Sequence, residues 1–151
     1  MKKLFAISAI VAMFVLLTVS LGTEVVAQGG KNVQATLFHA PPGTGDCLGN
    51  GVSSFPEGGF VNVHFDSQQN RLIFNFHVEG ALPNTTYEVG VRCISILGDF
   101  TTNSQGEGDL TVKSSAAGIV PGTFSLAVEG PIVQGVCVCT DTFFTGPISL
   151  P

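Results

Sequence analysis

"FVNVHFDSQQNRLIFNFHV", Phe60 to Val78, decides the fold. Two runs alternate apolar and polar residues with a period of two, on either side of the turn-forming cluster Ser67-Gln68-Gln69-Asn70. If those four residues close a hairpin, Phe65 faces Leu72, Val63 faces Phe74 and Val61 faces Phe76, so one surface is wholly apolar. The opposite surface pairs His64 with Ile73, Asn62 with Asn75 and Phe60 with His77, a mixed and partly wet face. A slip of one residue would scramble both faces, so the agreement between the two runs fixes the register as well as the strands.

The same period runs outward through the chain. Further strands are predicted at Val33–Phe38, Thr85–Cys93, Asp99–Asn103, Gly108–Lys113, Gly122–Glu129, Ile132–Thr140 and Gly146–Leu150, with the central pair at Gly59–Asp66 and Arg71–Val78. Gly, Pro, Asn, Ser and Asp clusters separate them, and no segment carries a sustained apolar helical period. In "DFTTNSQGEGDLTV" a three-residue loop, Ser104-Gln105-Gly106, places Gly106 at the left-handed position and brings Phe100 to Leu110. Nine short strands with one dry face each predict an all-β fold, an antiparallel two-sheet sandwich of the Ig-like kind, with a small β-barrel as the alternative. The segment Ala40 to Gly58, "APPGTGDCLGNGVSSFPEG", is long for a plain connection, which points to a functional or tethered loop.

The chain opens with Lys2 and Lys3 ahead of an apolar run from Leu4 to about Val19, the layout of a secretory signal peptide. Cleavage is expected after Ala27, leaving 28–151 as a single domain outside the cytoplasm, secreted, at the cell surface or in the periplasm, with no membrane insertion once the signal is removed. That domain holds four basic residues, Lys31, Arg71, Arg92 and Lys113, against ten acids. So few cations exclude nucleic acid as a partner class, because phosphate recognition rests on Lys and Arg.

Four cysteines, Cys47, Cys93, Cys137 and Cys139, fall in the exported part, and an even count there reads as two disulfides. On a regular strand residues two apart have Cα atoms roughly 6.5 to 7 Å apart, at the upper edge of disulfide geometry. Cys137 and Cys139 in "VQGVCVCT" are therefore expected to take separate partners, one from Cys93 on a neighbouring strand and one from Cys47 in the long loop. One C-x-C pair and two singletons do not match the double C-x2-C spacing of zinc knuckles. No basic residue stands beside the pair to activate a thiol. The residues that could contribute to a metal site are Cys137, Cys139 and His39, while His64 and His77 fall about four residue steps apart on the hairpin, too far to share an ion. No nucleophile elbow, phosphate loop or zinc-protease motif occurs, so no catalytic residue and no cofactor is implied. Asn84-Thr85-Thr86 is a formal glycosylation sequon.

The runs "ALPNTTYEVGVRC", "LGDFTTNSQGEGDLTV", "VPGTFSLAVEG" and "GPISL" resemble small secreted β-sandwich modules of bacterial and archaeal surfaces, and "FNFHVEGAL" is similar to CHRD-type domains. The resemblance implies an Ig-like sandwich without catalytic residues. Where CHRD-type domains carry a His-Ile-His stretch, "VRCISILG" stands here, so no metal role of that motif is carried over. The tryptophan of true immunoglobulin domains is also missing. The sequence therefore predicts a disulfide-stabilised structural, adhesive or interaction module that engages a protein or a surface polymer. The alternative function is a small metal-binding or thiol-redox protein built on Cys137 and Cys139.

Overall fold

A computed structural model describes residues 31–151; the expected signal peptide lies outside the described residues. The hairpin that opened the sequence reading forms β2 (Glu57–Asp66) and β3 (Arg71–Val78), paired in the expected register from Gly59 with Val78 to Asp66 with Arg71. Its turn is held by the Asp66 carboxylate, which accepts from the amides of Gln68 and Gln69, and by Asn70 in the left-handed region. Val61, Val63, Leu72, Phe74 and Phe76 are buried, as the alternation requires, while Asn62 and Asn75 face solvent.

The other strands are β1 (Lys31–His39), β4 (Thr86–Val91), β5 (Ser95–Thr101), β6 (Gly108–Ser115), β7 (Gly122–Phe124), β8 (Leu126–Val133), β9 (Val136–Thr145) and β10 (Ile148–Leu150). All pairings are antiparallel. Hydrogen bonding joins eight strands into one sheet in the order β5-β4-β8-β9-β1-β2-β3-β6, while β7 and β10 make a separate two-stranded pair. Two sheets of comparable size do not emerge. The large sheet coils until its two edges, β5 and β6, approach each other, so the architecture is that of a nearly closed barrel, the alternative drawn from the sequence.

The near-closure has a local cause. β5 and β6 are consecutive in the chain and begin as a hairpin: Gly106 is left-handed, and the Asn103 amide donates to the Glu107 carbonyl at 2.8 Å. The Asn103 side chain accepts from the amides of Gln105 and Glu107 and closes the loop from inside. Beyond it the Phe100 ring packs against Gly108, where a side chain would collide, and the two strands pair outward with β4 and β3 instead of with each other. The expected pairing of Phe100 with Leu110 is corrected: Phe100 pairs with Tyr87 on β4 and Leu110 with Phe76 on β3.

Inside the coiled sheet lies one core, contributed by every long strand and sealed by Phe124, Ile148 and Leu150 of the small pair. Phe124 stands edge-on to Phe74, with ring centroids 6.4 Å apart. The predicted strand Gly122–Glu129 is broken at Ser125, where the chain passes from the small pair to the large sheet; the Leu126 amide is satisfied there by the Thr145 hydroxyl.

The predicted strand Ile132–Thr140 is also broken, and here the expectation is corrected. Gln134 and Gly135, with φ of +53° and +77°, form a two-residue turn of the type that joins tightly twisted strands, so the segment is the tip of the β8–β9 hairpin and not one central strand. A second core lies on the outside of the sheet, where the Ala40–Gly58 loop lays Ala40 and Val52 over Ala127 and Phe144.

Candidate functional site

The cysteines pair as Cys47–Cys93 and Cys137–Cys139, so the expected cross-pairing is corrected. Cys93 does not stand on a strand. It occupies the left-handed position of the turn between β4 and β5, exposed toward the long loop, and its bond to Cys47 pins that loop to the sheet. Cys137 and Cys139 do not lie on a regular strand. Opposite the single residue Pro131, which has no amide to donate, β9 carries the three residues Val138, Cys139 and Thr140, because pairing jumps from Ile132–Cys137 to Gly130–Asp141. In this bulge Cys139 has φ of +49°, and the two Cα atoms come to 5.1 Å, within bonding range.

The bulge opens onto the outer face of the sheet. Residues that share a register row there are Asp99 on β5, Glu88 on β4 and Glu129 on β8, three carboxylates on consecutive strands. The Cys139 sulfur lies 3.7 Å from Glu129 Oε2. A disulfide sulfur carries no proton, so this is a contact and not a hydrogen bond. Beside the row runs a groove of about 500 Å³ lined by Glu88, Arg92, Ile94, Ile96, Ala127 and Glu129. Ile94 and Ile96 are 56% and 67% exposed, an unusual state for branched aliphatics on one rim. Arg92 closes the groove toward the loop, its guanidinium 4.2 Å above the Phe144 ring. Burial lowers the Arg92 pKa, and the charges of Glu129 and Asp46 oppose that shift; the group stays cationic.

A second polar cluster sits at one end of the barrel. Asp141, 8% exposed, accepts from the Tyr87 hydroxyl and from the Leu82 amide at 3.2 Å, and meets His39 Nε2 at 2.5 Å. His39 stacks on Phe143 with centroids 4.5 Å apart. Burial, and then the hydrogen bond to Asp141, raise the Tyr87 pKa well above its ordinary value. The Thr142 hydroxyl, on the same strand as Asp141, donates to the Ala40 carbonyl. Sequence reading missed this cluster. Its signals were present: a lone tyrosine whose hydroxyl must find a partner once buried, and an aspartate two residues ahead of the apolar pair Phe143-Phe144.

The three histidines stay apart, each with its own partners. His64 meets Asn32 at 2.6 Å, and His77 bridges Asp109 and Glu79 at 2.8 and 2.9 Å, which raises its pKa. His39 does not join Cys137 or Cys139: the one set of candidate metal-ligating side chains among the described residues is Glu129, Cys137 and Cys139. Asn84 is exposed in the turn before β4. Among the described residues no helix is long and apolar enough to cross a membrane. Comparison with family models, with curated proteins and with solved structures finds no match, so the reading of the site rests on its geometry.

Proposed function

We propose that the chain is a secreted interaction module of the Ig-like, CHRD-like kind, without catalytic activity, that holds a partner protein or surface polymer in the groove on the outer face of β5, β4 and β8. The observation that carries this reading is the pairing of exposed Ile94 and Ile96 with Glu88 and Glu129 on the walls of one groove. Exposed apolar side chains set beside charged ones are what protein contact surfaces present. The charges there select a basic partner. The Cys47–Cys93 bond supports the same reading, since it ties the long loop to Cys93 on the groove lining and suits an oxidising compartment.

The test is an NMR titration of the protein with a Lys-Val-Lys-Val-Lys peptide. Shifts confined to Ile94, Ile96, Glu88 and Glu129, with binding weakened about tenfold or more by Glu88→Lys and Ile96→Ser together, are expected. Shifts scattered elsewhere, or an unaffected double variant, overturn it.

A further inference from the structure

We infer that Cys137, Cys139 and Glu129 form a redox-gated zinc site: closed as the disulfide, and open to one zinc ion when the pair is reduced. The site shares Glu129 with the wall of the docking groove, but its metal chemistry does not depend on what the groove holds.

The first ground is what the bond between Cys137 and Cys139 does not do. Cys47–Cys93 spans a sequence separation of 46 and restrains a long loop, the case in which a cross-link removes most entropy from the unfolded chain. Cys137–Cys139 spans a separation of 2, where a cross-link removes little. It joins no two elements, and β9 is already held on either side of the bulge by its pairing with β8. A staple that staples nothing leaves chemistry as the reason for two cysteines in one bulge.

The second ground is the neighbour. A carboxylate oxygen 3.7 Å from Cys139 Sγ gives a disulfide nothing, and beside a free thiol it disfavours the thiolate. That argues against a fast thiol nucleophile. A divalent cation reverses the logic, because it is attracted by all three groups and holds the thiols deprotonated. The ligand atoms of Glu129, Cys137 and Cys139 lie within 4.8 Å of one another. Zinc bonds of about 2.3 Å to sulfur and 2.0 Å to oxygen need ligand separations of roughly 3.5 to 4 Å, so a modest parting of the sulfurs suffices. Glu88, directly across from Glu129 on β4, adds a like charge that no disulfide needs and that a cation would relieve. Two thiolates and a carboxylate suit zinc better than calcium or magnesium.

The chemistry balances with a dithiol as reductant. Two successive thiol–disulfide exchanges transfer two electrons and two protons: the Cys137–Cys139 bond breaks, both sulfurs become thiols, and the reductant closes its own disulfide. Zinc then binds two thiolates and the Glu129 carboxylate, with release of two protons, and water completes the fourth position.

The test uses the full chain reduced by a small dithiol without oxygen, titrated with zinc against a chromogenic chelator and followed by alkylation and trypsin digestion. Peptide 114–151 carries both Cys137 and Cys139, whereas Cys47 and Cys93 fall on peptides 32–71 and 93–113. The expected result is one zinc per chain, protection of the two thiols on peptide 114–151 alone, and no zinc bound by the oxidised protein. Cys139→Ser should weaken binding by about a hundredfold or more, and Glu129→Gln by about tenfold. Replacing Cys47 and Cys93 with serine should leave it intact. Zinc protection of Cys47 or Cys93, binding unaltered in Glu129→Gln, or no binding by the reduced chain overturns the inference.

Discussion

Asp141 shows how a single residue can organise one end of the molecule. It is buried, yet three donors converge on it: the Tyr87 hydroxyl, the Leu82 amide and His39. Tyr87→Phe keeps the ring and removes one donor, and is expected to cost about 1–2 kcal/mol in urea unfolding. Tyr87 is the only tyrosine, and there is no tryptophan, so its ionisation can be followed directly by ultraviolet absorbance. Folding raises its pKa, so its contribution is intact below the unfolded value of about 10 and is lost as pH rises further. The tyrosinate band is expected to appear together with unfolding, not before it. His77 has the same sign at lower pH. Asp109 and Glu79 raise its pKa, so its contribution is present below about 6.5 and fades as pH climbs through the raised value. The ring is 30% exposed and its partners 63% and 78%, so solvent screening holds the effect under about 1 kcal/mol. His77→Gln should therefore lower the melting temperature at pH 5 and leave it nearly unchanged at pH 9.

At the scale of elements, the strands were legible wherever alternation ran unbroken. Arg71–Val78 was placed to the residue, because each of its side chains alternates cleanly and its partner run does the same. The segment 132–140 was misread for the opposite reason. Its β-branched residues read as a continuous strand, while the turn depends on Gln134 and Gly135 taking positive φ, which glycine signals and glutamine does not. Gly130 marks another tight point, since a β-carbon there would stand 2.5 Å from the Tyr87 ring. Gly130→Ala is expected to cost about 1–3 kcal/mol by overpacking, measured by chemical unfolding. The two disulfides should separate just as clearly. Loss of Cys47–Cys93 by double serine substitution should cost about 4 kcal/mol and open the Ala40–Gly58 loop to chymotrypsin at Leu48, while the same change at Cys137 and Cys139 should cost under about 2 kcal/mol.

Across the whole molecule, the barrel is held by its centre and loosened at its tips. Hydrogen exchange should be slowest at Val61, Val63, Phe74 and Phe76, where both neighbouring strands are paired, and fastest around Val133–Val138, where the β8–β9 arm extends with exposed valines and no strand on its far side. Equal protection in the two regions would contradict the description of that arm as an extension of the barrel. The sequence by itself determined the all-β class, the β2–β3 register and the long tethered loop, because each is written in nearest-neighbour chemistry: alternation, turn residues and composition. Tertiary structure decided the rest. Whether eight strands close on themselves depends on accumulated coil and on the Phe100–Gly108 contact at the seam, which no local period encodes. The cysteine pairing depended on a bulge opposite Pro131, where three residues face one, so that two thiols at an awkward spacing on a regular strand come within reach of each other and of Glu129.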